Sequence, residues 1–166
     1  MSQEFIPVNT PVVGDNELKY LEQCISSGWI SSEGPFVAEF EEKFACAVDR
    51  SFGIAVANGT AALDIAVGAL QIGPGDEVIL PAHTIISCGA AVVRAGATPV
   101  LVDCDPLTYN MTASGVANKV TSKTKAIMIV HIFGLPVDLN AILELARERG
   151  LKIIEDAAEM HGQSYY

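Results

Sequence analysis

Short apolar runs alternate along this chain with longer segments whose apolar residues recur at three- and four-residue spacing. The runs at residues 53–57, 77–80, 99–102, 126–130 and 152–155 are mostly apolar and rich in β-branched residues. That is the pattern of strands buried on both faces. Helical patterns fill the intervals, at 61–70, 87–95, 113–120 and 139–149, and two more precede the first run, at 15–26 and 35–48. Strand and helix alternating in this way predict an α/β fold built on a parallel sheet with right-handed crossovers. Gly73-Pro74-Gly75-Asp76 reads as a turn before a strand, and Gly96 and Gly150 fall where helix C-caps belong.

Open α/β sheets bind ligands beyond the carboxyl ends of their strands. The residues that follow each predicted strand are therefore the candidates. They are Asn58-Gly59-Thr60-Ala61, then Pro81-Ala82-His83-Thr84, then Asp103 and Asp105, then His131 and Gly134, and finally Asp156 and Glu159. Asn58-Gly59-Thr60-Ala61 joins a strand to a helix. Its glycine permits close approach to a ligand, and the N–H groups of Thr60 and Ala61 with the Thr60 hydroxyl suit a phosphate. An ordinary helix N-cap explains the same residues. Asp156 ends a strand expected to be buried, so its carboxylate needs a partner. A protonated ring nitrogen is one, and a helix N-cap with Glu159 at capping-box spacing is the other. His131 reads as a structural histidine, whereas His83 sits in a strand-end loop and His161 follows Asp156. Asp103 and Asp105 flank Cys104 before Pro106, which favours a turn over acid–base chemistry.

Composition narrows the classes. The chain has 166 residues, half of them hydrophobic, enough for one domain with a sizeable core. A net charge of −10 argues against nucleic acid or an anionic membrane as partner, yet not against a phosphorylated small molecule held by backbone N–H groups. The first residues contain no basic and apolar regions of a signal peptide, and no apolar stretch is long enough to span a membrane. The four cysteines lack CxxC pairing and the three histidines lack metal-ligand spacing, so no metal site is expected. A reducing, cytoplasmic setting fits the unpaired cysteines. Two Asn-x-Thr matches, at Asn58 and Asn110, are read as chance.

Seven stretches in order carry a family resemblance. They are Gly28-Trp29-Ile30-Ser31-Ser32-Glu33-Gly34-Pro35, Asn58-Gly59-Thr60-Ala61-Ala62-Leu63, Gly73-Pro74-Gly75-Asp76-Glu77-Val78-Ile79, Gly96-Ala97-Thr98-Pro99-Val100, Thr124-Lys125-Ala126-Ile127, Val130-His131-Ile132-Phe133-Gly134 and Ile154-Glu155-Asp156-Ala157-Ala158-Glu159. Together they resemble the DegT/StrS-type aminotransferases of sugar nucleotides. The resemblance implies a truncated fold type I large domain, with a mostly parallel sheet and helices on both faces. Residues 1–34 would form an N-terminal helix and a substrate-side loop, and residues 35–166 the first part of the domain that binds pyridoxal 5'-phosphate (PLP).

It further implies that Gly59, Thr60 and Ala61 bind the cofactor phosphate and that Asp156 pairs with the pyridine nitrogen. Glu159 would contact the cofactor near its ring substituents, and Ile85, or His83 if the loop is shifted, would pack the ring where many relatives have an aromatic residue. Trp29, Ile30, Ser31 and His83 would lie on the sugar side. Partners would be a nucleotide-sugar substrate, an amino-acid donor and, in a homodimer, a second subunit that completes the site. Trp29, Ile30, Ser31, Ser32 and Glu159 look most like members that aminate C4 of a GDP-linked 4-keto-6-deoxy sugar.

The family's Schiff-base lysine lies downstream of Tyr166, so no catalytic lysine is expected among Lys19, Lys43, Lys119, Lys123, Lys125 and Lys152. Without it the covalent link to the cofactor cannot form and the proton shift lacks its base. A partial sequence is the expectation. A dehydratase relative, with histidine in place of that lysine, or a non-catalytic fragment are the alternatives.

Overall fold

A computed structural model describes residues 5–7 and 10–165. By internal contacts the chain divides into two units, Met1–Ala55 and Val56–Tyr166. The expected division at residue 34 follows the substrate-side loop rather than compactness, and so falls elsewhere.

The first unit holds α1 (Asp15–Ser27) and α2 (Pro35–Ala47). Helix α1 starts where the Gly14 N–H donates to Glu17 Oε2 at 2.8 Å and stops at Gly28, whose φ of 77° only glycine adopts freely. Pro35 opens α2 at its first turn, where a missing N–H costs nothing. Tyr20 of α1 meets Phe36 of α2 edge to face at 5.2 Å.

Residues 53–57, expected as a strand, form none, and Ile54 is 73% exposed. The reason is local. The Ala55 N–H, which a ladder would need, donates instead to Glu41 Oε1 at 2.7 Å. Gly53 also lies against the α2 backbone so closely that a Cβ there would fall 2.4 Å from the Glu41 carbonyl oxygen.

The second unit is the α/β body. Its strands are β1 (Glu77–Pro81), β2 (Thr98–Val102), β3 (Thr124–Val130) and β4 (Lys152–Asp156), all parallel, in the order β2-β1-β3-β4. The helices are α3 (Gly59–Ala69), α4 (Ile86–Arg94), α5 (Ala113–Ala117) and α6 (Leu139–Arg149). Strand side chains alternate between two cores. Val78, Leu80, Ala126, Met128, Val130 and Ile154 pack with Leu63 and Val67 of α3 and Cys88, Ala91 and Val92 of α4. Ile79, Val102, Ile127 and Ile129 pack with Val116 of α5 and Ile142 and Ala146 of α6. Both faces of the sheet are thus covered, which is why the strands read as continuous apolar runs. The predicted α/β class and parallel sheet hold. Predicted helix 113–120 stops early, at Ala117, and the Lys119 N–H bonds three residues back to the Val116 carbonyl at 2.9 Å instead of continuing the helix. Among the described residues, no helix is long and apolar enough to cross a membrane.

Candidate functional site

The sheet reverses its winding between β1 and β3. The chain leaves β1 through α4 to the outer strand β2, then returns past β1 to β3 and continues to β4. Such a switch point opens a crevice beyond the carboxyl ends of the strands. Ala82 to Thr84 follow β1 there, His131 to Gly134 follow β3, and Asp156 is the last residue of β4.

Three contacts tie the crevice together from below. At the start of α3, Thr60 Oγ1 lies 2.9 Å from Ser87 Oγ in the first turn of α4. One residue on, Cys88 donates its S–H to Asp156 Oδ2 at 3.4 Å. The Asp156 Oδ1 accepts from the Ala158 N–H at 3.1 Å. The first turn of α4 therefore links the α3 N-terminus to the end of β4.

Not every expected donor is available. Asn58 Oδ1 accepts the Ala61 N–H at 2.9 Å, so Asn58 is the N-cap and Ala61 offers no free N–H. In this structure the Asn58 side chain takes the Ala61 amide that was expected to meet a phosphate. The first amides of a helix have no intrahelical acceptor, so those of Gly59 and Thr60 remain for an anion, with the hydroxyls of Thr60 and Ser87 beside them. Sequence reasoning missed Ser87. Only the fold brings residues 60 and 87 together.

Asp156 does not cap a helix, because Ala157 to Met160 form a turn closed by the Met160 N–H on the Ala157 carbonyl. Its carboxylate is half-buried, and among the described residues no cation pairs with it. Two weak or neutral donors touch its oxygens, and neither supplies positive charge. An N–H that carries charge from a ligand is what such a group lacks. Burial pushes the neighbouring Cys88 thiol up from 9.0 to about 11, Thr84 opposes that shift by hydrogen bonding, and the Asp156 charge adds to it. The thiol keeps its proton across the neutral range and serves there as a donor.

The rim is aromatic. The His83 ring lies 5.7 Å from Tyr109 and 5.9 Å from Phe133. All three are exposed, as is Ile85, which precedes α4. Phe133 has a φ of 53°, unusual for a residue with a side chain. Its N–H donates to Glu159 Oε2 at 2.6 Å. Glu159 thereby holds the strained turn after β3. Gly134 follows with a φ of 76°, and a Cβ there would fall 2.9 Å from the Glu159 carbonyl oxygen. Gly134→Ala is expected to destabilise the fold by about 1–3 kcal/mol. A urea titration would show it, and an unchanged midpoint would contradict it.

His131 is structural. It is buried, its Nδ1 accepts the Val137 N–H at 3.1 Å, and its Nε2 lies 3.0 Å from Glu155 Oε1. With Nδ1 accepting, the ring hydrogen sits on Nε2 and points to Glu155. His161 is exposed, and Met160 is the buried residue of that segment. Asp105 forms the expected turn: its Oδ1 accepts the Leu107 and Thr108 N–H groups at 2.9 Å, which hold its carboxyl below the usual range.

Trp29, Ile30 and Ser31 belong to the first unit, in the exposed turn between α1 and α2. In the second unit, Lys125 and Lys152 begin β3 and β4, and Lys119 and Lys123 lie in the connection that leads into β3. All four are therefore at the amino ends of the strands, where Lys125 approaches Asp76 at 3.9 Å.

This parallel α/β body, whose α3 N-terminus is linked through α4 to a carboxylate at the end of β4, is the fold of an aminotransferase domain. The chain belongs to the DegT/DnrJ/EryC1/StrS aminotransferase family, whose pattern matches residues 11–166. It is 48% identical over 160 residues to a GDP-perosamine synthase of Caulobacter vibrioides, covering 96% of this chain and 43% of that protein. It is 45% identical over 162 residues to a GDP-perosamine synthase of Escherichia coli O157:H7, covering 98% and 44%.

Among solved structures, an aminotransferase from Psychrobacter cryohalolentis superposes with a TM-score of 0.87 at 40% identity, over 93% of this chain and 40% of that one. A Bacillus subtilis protein solved with bound cofactor PMP (pyridoxamine phosphate) gives 0.86 at 31% identity, over 92% and 36%. This chain thus spans less than half the length of the relatives it matches. PLP is the cofactor indicated by this family. The crevice fits it, since Asp156 lacks a charged partner and the Thr60 and Ser87 hydroxyls adjoin free helix amides.

Proposed function

We propose that the complete protein transfers an amino group from an amino acid, glutamate by preference, to the C4 keto carbon of a GDP-linked 4-keto-6-deoxy sugar. The observation that carries this reading is the cation-free, half-buried Asp156 carboxylate, coupled through α4 to the hydroxyls at the α3 N-terminus. The relatives named GDP-perosamine synthase support the choice of sugar.

In this reading the residues of the chain bind and orient. Thr60, Ser87 and the Gly59 and Thr60 amides hold the phosphate. Asp156 keeps a proton on the ring nitrogen, and the bound cofactor then supplies an electron sink for amino transfer. Ile85 packs against the ring. Glu159 fixes the turn that carries Phe133 beside the crevice. Ala61 contributes as part of the α3 start rather than through a free amide. Trp29, Ile30, Ser31 and His83 are assigned to the sugar side. The four lysines of the second unit stand at the amino ends of the strands, so the lysine that the resemblance implies is assigned to the rest of the protein, which works as a homodimer.

The test is label transfer. The complete protein, PLP and 15N-glutamate would be incubated with a panel of 3-keto and 4-keto sugar nucleotides, and products read by mass spectrometry. Label in the GDP-linked 4-keto sugar is expected. Label in none of the sugars would overturn the proposal, and label only in a 3-keto sugar would overturn the choice of carbon.

A further inference from the structure

Of the four cysteines, Cys88 alone is buried. It packs in the first core beside Ala91 and Val92, yet the structure also gives it two polar neighbours. Thr84 Oγ1 lies 3.3 Å from its sulfur, and Asp156 Oδ2 lies 3.4 Å away on the other side. Counting hydrogens sets the directions. The sulfur carries one, and an ionised carboxylate can only accept. The S–H therefore points to Asp156, and the Thr84 hydroxyl donates to the sulfur. The resulting line runs from the loop after β1, through α4, to the last residue of β4.

We propose that Cys88 is a positioning residue for the cofactor: its S–H, ordered by Thr84, sets the orientation of the Asp156 carboxylate toward the ring nitrogen. The proposal rests on the reading of Asp156 as the partner of that nitrogen. The chemistry favours a thiol over stronger donors. A lysine or arginine at this position would neutralise the carboxylate and compete with the charged ring. A thiol is a weak donor, so it orients the carboxylate and leaves its charge largely for the ligand.

Adjacency adds a second role. Ser87 reaches Thr60 at the phosphate end while Cys88, the next residue, reaches Asp156 at the ring-nitrogen end. One helical turn of α4 thus fixes the spacing between the two anchors of a single ligand.

The test uses the complete protein and PMP, which binds without a covalent link. Cys88→Ala removes the donor and some volume. Cys88→Val removes the donor and keeps bulk. Cys88→Ser keeps a hydroxyl donor. The readouts are the PMP dissociation constant, its pH dependence and the thermal midpoint.

Both donor-less variants are expected to bind PMP about three- to tenfold more weakly. The acid limb of PMP binding should move as well, because an orienting donor to the carboxylate is gone. Cys88→Ser is expected to stay within about twofold of the parent. Cys88→Val with parental affinity and an unmoved acid limb would overturn the proposal, as would Cys88→Ser behaving like Cys88→Ala. Asp156→Asn is the control beneath it. If that variant binds PMP normally, the cofactor reading itself fails. If it loses PMP while Cys88→Val does not, only the positioning role fails.

Discussion

Asp156→Asn in the complete protein is expected to bind PMP roughly 10- to 100-fold more weakly, the loss of one charge-assisted hydrogen bond. Turnover should fall further, by at least about 10²–10³-fold, because the stabilisation matters most where charge develops in the ring. The substitution keeps size and shape. The asparagine oxygen can still accept the Ala158 N–H, so the turn after β4 should persist. What disappears is the negative charge proposed to hold a proton on the ring nitrogen. Binding would be read by fluorescence titration and turnover by release of the amino sugar. Turnover near the parental rate would remove Asp156 from the site.

The second large effect is on the fold. Met128 lies in the middle of β3, fully buried between β1 and β4, among Leu80, Val92, Ala126 and Ile154. Met128→Ala is expected to cost about 2–5 kcal/mol, the transfer loss plus the cavity left behind. The site would suffer with it, since β3 carries the His131–Gly134 turn and pairs with β4 up to Asp156. A urea unfolding curve of the complete protein measures it. A midpoint unmoved within error would show that the two cores do not hold the sheet as described.

Much of this was legible in the sequence because the second unit obeys local rules. Its inner strands β1 and β3 are almost wholly buried, and its elements carry clear punctuation at Gly73, Gly96 and Gly150. The failure at residues 53–57 has a physical origin. Apolar periodicity reports burial preference, whereas a strand exists only where a partner accepts its hydrogen bonds, and Glu41 takes the Ala55 amide first. Asp156 and Thr60 were visible as strand-end polar residues. Ser87 and Cys88 were not, because their meaning lies in contacts across 27 and 68 residues. The only local hint was the i, i+4 spacing of Thr84 and Cys88 at a helix start. Asn58 was seen, but whether its side chain or a ligand takes the Ala61 amide was decided by a rotamer, which no pattern encodes.

The position of β4 has one more consequence. It is an outer strand of the four, paired with β3 on one side only among the described residues. Outer strands fray more readily than inner ones. A ligand gripped by Asp156 binds only the closed form and so damps that fraying. By the same linkage, whatever lays itself along the open side of β4 tightens the grip on the ligand without touching it. If Asp156 holds the ring nitrogen as proposed, affinity for the cofactor is partly a property of how well this strand is held in its sheet.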